Sequence, residues 1–287
     1  MNWFAYAFIC ALSIGTADAL TKKALKNNDT YFMAWVRFGF AAPFTIVLIP
    51  FVEIPELDLL FYLTTFLLLP LDIIALLLYL KAIRISPLSL TLPFLSLTPV
   101  FLIGTSYSIL GELPDKTGVV GIILVAAGAY LLNIHAVHQG ILGPIRAIGR
   151  ERGSLLMIIV AFLFSITSNL GKVAVQHSNP AFFTVFYSFL LSISLFLVIQ
   201  FKTERIVSRV ASQPLLFLCI GICMAIMMMT HLKAISLVEV SYMISVKRLS
   251  LLFGVMYGAL FFKERNIRER FLGSVTMILG IILISLF

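Results

Sequence analysis

Apolar residues run in stretches of about twenty along nearly the whole chain, and charged, Pro, Gly or Asn positions gather between the stretches. A run of about 20 apolar residues is the length at which an α-helix crosses the hydrocarbon core of a bilayer. Reading the runs between breaks predicts ten spans, near residues 3–22, 31–52, 59–80, 86–110, 118–135, 154–175, 181–201, 213–235, 238–261 and 268–287. The expected fold is an all-α integral membrane protein of ten transmembrane helices. The N-terminal stretch has no basic leader and runs straight into a full-length span, so the first helix is expected to stay in the protein.

The longest connection lies between spans 5 and 6, where residues 136–153 carry Gly140, Gly143, Pro144 and Gly149 among Arg146, Arg150 and Arg152. This reads as an interfacial linker dividing the chain into halves, 1–135 and 154–287. The halves repeat. Leu80-Lys81-Ala82-Ile83 recurs as Leu232-Lys233-Ala234-Ile235, and the same shift of 152 positions superposes Glu112 on Glu264, Gly121 on Gly273 and Gly128 on Gly280. An odd number of spans per repeat makes the second half enter the membrane in the opposite sense, the inverted-repeat plan of many secondary transporters. Pro43, Pro70, Pro93 and Pro99 fall within spans 2, 3 and 4, and such breaks survive in lipid where packed neighbours or a cavity satisfy the freed carbonyls.

Composition agrees with the pattern: of 287 residues, 61% are hydrophobic, 12% are charged and 25 are Phe, more apolar surface than one soluble core could hide. The net charge of +8 does not point to nucleic acid, because Lys and Arg are scattered among short loops rather than gathered on one module. Most of them fall on the side opposite the termini, so the positive-inside rule taken literally puts both termini outside the cytoplasm. Cys10, Cys219 and Cys223 lie in apolar stretches and suit neither a disulfide framework nor zinc, and His135, His138, His177 and His231 have no metal spacing. With no HExxH, no GxSxG elbow and no P-loop, neither an enzyme, an ATP-driven pump nor any cofactor or metal is expected.

Candidate chemistry comes from charges inside the spans, each of which costs about 2.5–3.5 kcal/mol unless it finds a partner or a wet cavity. Lys247 and Arg248 stand about ten residues into span 9, too deep for easy snorkelling, and suit a carboxylate or phosphate, Arg as a planar fork and Lys as a compact charge. Asp72 in span 3 and Glu239 at the start of span 9 are possible counter-ions, and an internal ion pair would satisfy the same energetics. Arg37 lies inside span 2, within reach of the headgroups, and Tyr242 stands five residues before Lys247. Asp18 and Lys22 share a helix face at spacing four, as an ion pair or a coupling site. Tyr187, Trp35 and Asn169 are polar-tipped groups that could line a cavity, Lys81 and Lys233 read as membrane-edge anchors, and Glu112 and Glu264 as turn-fixing residues. The glycines at spacing seven in spans 5 and 10 offer a small face for helix packing, inside the fold or at a homodimer contact.

These residues resemble the drug/metabolite transporter superfamily, specifically its EamA type, over nearly the whole chain. The resemblance rests on Gly111-Glu112 and Lys263-Glu264-Arg265, each followed after nine residues by a Gly and after seven more by another. It rests also on Ser245-Val246-Lys247-Arg248-Leu249-Ser250, running on to Phe262-Lys263-Glu264-Arg265, and on Arg37-Phe38. It implies a tandem five-helix fold in a cell membrane, both termini in the cytoplasm, and transport of a small metabolite by alternating access. The small multidrug-resistance relatives keep an acid deep in their first helix, whereas Asp18 lies near the end of span 1, so drug-for-proton exchange does not carry over. The expected partners are a small anionic or zwitterionic substrate and membrane lipid. A lipid-linked carrier flippase is the alternative, distinguished by a lateral gap to lipid in place of an enclosed polar site.

Overall fold

The computed structural model describes residues 2–86, 92–131, 152–203, 206–262 and 267–285, and these form helices joined by short turns, with no β-strand among them. In chain order, α1 is Trp3–Ala24, α2 Thr30–Gly39, α3 Ala42–Thr45, α4 Leu59–Ile85, α5 Leu97–Leu110 and α6 Lys116–Leu131. The second half contains α7 Arg152–Gln176, α8 Pro180–Gln200, α9 Ile206–Ser212, α10 Pro214–Ile235, α11 Val240–Lys247, α12 Ser250–Phe262 and α13 Ile267–Ser285. Among the described residues, six stretches are long and apolar enough to cross a membrane: Trp3–Ala24, Thr30–Phe51, Leu59–Ile85, Arg152–Gln176, Pro180–Gln200 and Pro214–Ile235. Phe94–Leu110, Lys116–Ala129 and Val275–Ile284 are shorter apolar helices.

Polar caps start the helices where apolar periodicity alone gives no boundary. Asp29 accepts the Phe32 N–H at 2.9 Å, Asp58 the Phe61 N–H at 2.9 Å and Asn179 the Phe182 N–H at 2.7 Å. The Phe61 N–H, helped by His177, holds the Asp58 carboxyl below the usual carboxylate range. Asp29 and Asn179 are equivalent caps, so the two halves run in register at a shift of 150 through their first two spans and of 152 later; Lys22 and Ala24 match Lys172 and Ala174 on the first count.

Three predicted spans are interrupted. Span 2 is split after Gly39 and continues as α3 and a 3-10 segment, Ile46–Phe51, because Pro43 and Pro50 cannot donate backbone hydrogen bonds. Span 4 opens with a 3-10 segment, Leu92–Ser96, in a stretch bearing Pro93 and Pro99. Span 9 stops at Lys247 with no proline present: the Arg248 N–H is shared among the carbonyls of Ile244, Ser245 and Val246, and a new helix begins at Ser250. On the shift of 152, Leu92–Ser96 corresponds to Ile244–Arg248, so the interruptions of spans 4 and 9 fall at equivalent places. Residues 132–151, which hold most of the predicted linker, and 263–266, with Glu264, lie outside the described residues; Arg152 and Gly153, placed in the linker by sequence, begin α7.

The halves interlock reciprocally. α1 packs along α10 as α7 packs along α4; α1 also lies on α11 and α12 as α7 lies on α5 and the 3-10 segment before it. α6 and α13 form the most extensive pairing, and their glycines permit it: a Cβ on Gly128 would stand 2.6 Å from the Met277 nitrogen, and one on Gly280 would stand 2.6 Å from the Gly121 carbonyl oxygen. Turns cluster in two groups. Asp58 meets His177 at 2.6 Å, Asn179 donates to the Glu53 carbonyl at 2.7 Å, and Lys172 joins Glu112 and the Val238 carbonyl. Elsewhere Asp29 receives Arg209 and the Thr203 hydroxyl.

Candidate functional site

Around the centre of the bundle lies a cavity of about 240 Å³, walled by residues of eight of the predicted spans. Its lining follows the repeat. Asp18 and Ser168, Arg37 and Tyr187, and Tyr79 and His231 each occupy matching positions of the two halves, and both members of each pair face the cavity. The same holds for Asp72 and Met224, Leu92 and Ile244, and Leu95 and Lys247. The backbone frame of the site is thus shared between halves, while the chemistry hung on it is not.

Arg37, 2% exposed, donates through Nη1 to the Asp18 carboxylate at 2.7 Å and to the Thr21 hydroxyl at 3.4 Å, with its guanidinium 5.7 Å from the centre of the Tyr79 ring. Arg248, 6% exposed, donates through Nη2 to the Thr98 hydroxyl at 2.7 Å. Thr98 follows the interrupted turn of span 4 and Arg248 ends that of span 9, so this one bond ties the two breaks together. Asp72 accepts the Tyr187 hydroxyl at 2.7 Å. Lys247 forms no ion pair or hydrogen bond among the described residues; it faces the cavity, subject to the fields of Asp18 and Asp72 without bonding to either.

Five of the expected charged groups, Asp18, Arg37, Asp72, Lys247 and Arg248, thus converge on the cavity, and Lys22 and Tyr187 line it too. Asp18 pairs with Arg37 on the next helix, because α2 packs beside α1 and brings a guanidinium within bonding distance. Tyr242 does not line the cavity: its hydroxyl donates to the Asp115 carboxylate at 2.6 Å and accepts from the Asp115 N–H at 3.2 Å, pinning the turn before α6 to α11. Trp35 packs among Phe32, Phe40 and Phe196. Asn169 accepts the Ser106 hydroxyl at 2.8 Å and donates to Thr105 at 3.1 Å, joining α7 to α5. Glu239, named as a possible counter-ion, stands just before α11 without a side-chain capping bond and is absent from the lining. Lys81 and Lys233 are exposed at helix ends, where anchoring places them.

Sequence reading missed Tyr79 and His231. Each keeps a buried polar atom, the Tyr79 hydroxyl and His231 Nδ1, without a hydrogen-bond partner. The shift of 152 pairs these two positions, so either one, once placed at the cavity, points to the other.

The sequence matches the EamA-like transporter family over residues 1–134 and again over 151–286. The chain belongs to the EamA-like transporter family. It is accordingly a multi-pass membrane protein of a family that transports small molecules, built as two copies of one repeat. No curated protein matches it. A solved crystal structure of 15% identity superposes with a TM-score of 0.79, covering 99% of this chain and 98% of the other, which shows a shared fold.

Proposed function

We propose that this EamA-family protein is a ten-span secondary transporter of a cell membrane, with inverted halves, that carries a small anionic or zwitterionic metabolite by alternating access. The lone Lys247 ammonium carries the reading. A charged amine inside a membrane protein is stabilised by a counter-charge or by water, and among the described residues no carboxylate bonds to Lys247. An anionic ligand in the cavity completes it, with Arg248 beside it and the Arg37–Asp18 pair nearby.

The grouping of turns supports ten spans and inversion. Turns 2–3, 4–5, 6–7 and 8–9 meet one another through Asp58–His177, Asn179–Glu53 and the Glu112–Lys172–Val238 contacts, whereas turns 1–2 and 7–8 meet through Asp29–Arg209. Alternation of ten spans puts the first four turns on one face and the last two on the other. Broken helices flanking a central cavity fit a site exposed to each side in turn. The polar residues face inward within a ring of eight spans, which favours an enclosed carrier site over a lateral lipid path.

Thermal shift of purified protein against organic acids, amino acids and sugar phosphates finds the ligand, since selective binding stabilises the fold. Counterflow in proteoliposomes then tests Lys247→Gln and Arg248→Gln. Loss of transport with normal insertion is the expected result, and wild-type rates in both variants overturn the reading. Cysteine labelling of the turns at Glu112 and Glu264 is expected to report opposite faces.

A further inference from the structure

Two carboxylates line the central cavity, and their surroundings differ. Asp18 is bonded to the Arg37 guanidinium at 2.7 Å, so its charge is compensated within the chain. Asp72 stands at the midpoint of the 27-residue α4, and among the described residues it bonds only hydroxyls: it accepts the Tyr187 O–H at 2.7 Å and is hydrogen-bonded to Thr167. A carboxylate inside a membrane protein without a bonded cation is costly as an ion, and a proton removes that cost. These neighbours suit both forms. Tyr187 can donate to the acid as it does to the carboxylate, and the Thr167 hydroxyl can turn from donor to acceptor. A metal ion or an ammonium would instead compete with the hydroxyl proton already directed at the carboxylate.

Other charges near α4 are committed elsewhere or lie across the cavity. Of the elements packed against it, α8 brings Tyr187 and α2 brings Arg37, which is held by Asp18; along α7, Arg152 stands at the start and Lys172, near the end, is bonded to Glu112. His177, just past α7, meets Asp58. The cavity wall adds Lys22 on α1, Tyr79 on α4 itself, His231 on α10, and Lys247 and Arg248 at the break of span 9. Lys247 and Asp72 each feel the other's charge without bonding.

We propose that Asp72 is a proton site coupled to the anion site: its carboxylate takes a proton from bulk water as an anion docks at Lys247, the two cross together, and the proton returns to water when the anion leaves. An anion seated at Lys247 cancels the field of the ammonium at Asp72 and adds a negative charge to the same low-dielectric space, and both changes favour the proton. Linkage makes the preference mutual, so the proton strengthens anion binding by the same factor. The inference rests on the anion reading of this cavity and adds the coupling ion to it.

The test uses benzenesulfonate and ethanesulfonate, which stay ionised at every working pH, so that any pH effect on their binding belongs to the protein. Titration calorimetry of the purified full-length protein, in buffers of different ionisation enthalpy, counts the protons taken up per anion bound. The wild type is expected to take up protons with both probes and to bind them more tightly as pH falls, by up to about tenfold per pH unit where one proton accompanies each anion. Infrared difference spectra of the same binding step are expected to show the C=O band of a protonated carboxyl. Asp72→Asn is expected to abolish the uptake and the band and to flatten the pH dependence, while Asp72→Glu keeps all three with the band displaced. His231→Asn is expected to keep the uptake, and Lys247→Gln to weaken both probes at every pH. Binding by the wild type without proton uptake, or uptake that survives Asp72→Asn, overturns the proton site and leaves the anion site standing. An affinity for taurine above that for ethanesulfonate, lost in Asp72→Asn, overturns it as well, because Asp72 then serves an ammonium on the ligand. Failure of both probes to bind the wild type overturns the two readings together. Should Asp72→Asn misfold, Asp72→Ser decides the same question: uptake retained there counts against the site.

Discussion

The N-terminal and C-terminal halves offer the same helices in the same order to the central cavity, yet they contribute different chemistry to it. Where the second half carries Lys247, the first carries Leu95; where it carries Arg248, the first carries Ser96; where the first carries Asp72, the second carries Met224. Packing follows the repeat because it depends on shape and small residues, and these were kept in register: Gly121 against Gly280, and α1 on α10 as α7 on α4. Charge does not follow it, because duplicating every ion across the axis would crowd like charges in one small low-dielectric space. The lesson is that internal symmetry here locates the cavity, and departures from symmetry mark the groups proposed to work in it.

The comparison breaks most sharply if the mirror positions are exchanged. Lys247→Leu makes the second half match the first at that site, and transport is expected to fall by about 30-fold or more, the kinetic equivalent of roughly 2 kcal/mol, with thermal stability held or raised. The exchange Lys247→Leu with Leu95→Lys returns an ammonium to the cavity from the other half, and partial recovery in a counterflow assay would show that the frame, rather than one helix, hosts the ligand. Next in size is the seam. Gly128→Ala forces a methyl to within 2.6 Å of the Met277 backbone and is expected to cost about 1–3 kcal/mol in chemical denaturation, whereas Gly254→Ala, inside a helix with open space beside it, is expected to hold or raise the midpoint.

Smaller effects separate the two groups of turns. Glu112→Gln strips the counter-ion from a largely buried Lys172 and should lower stability by about 1–3 kcal/mol, while Arg209→Gln, at the more exposed Asp29 pair in the other group, should cost under about 1 kcal/mol. The least effect belongs to the turn before α6. Hydrogen bonds from the Tyr242 hydroxyl and then the Gly118 N–H hold the Asp115 carboxyl below its ordinary value of 3.8, so the unfolded chain takes up that proton first on acidification. Its contribution to stability is present above that value and is lost as pH falls through it toward the folded pKa. Asp115→Asn is therefore expected to flatten the acid limb of a melting-temperature profile slightly without moving the neutral plateau.

Much of this architecture was legible in the sequence. Apolar run length placed the long helices to within a few residues, as at Pro214–Ile235 against a predicted 213–235, because hydrocarbon thickness dictates that length directly. Depth in the run also picked out Lys247, Arg248 and Asp72, since a charge there has few alternatives to a cavity. The interruption of span 9 was not legible: no proline or glycine marks Lys247 to Ser250, and the break depends on how that segment packs against its neighbours. Tyr242 misled for a related reason, as proximity along the chain says nothing of which way a helix face turns, and Asp115 drew its hydroxyl elsewhere. The surface helix Ile206–Ser212 was also missed, being too short to register as an apolar run.

The hydrogen bond from Arg248 to Thr98 acts as a crossbar between two weak points. Each interruption alone is a place where one span can bend; joined, neither can flex without loading the other. In the transport cycle proposed above, a guest that drew the guanidinium toward itself would slacken the bar at one end and free both spans in the same motion.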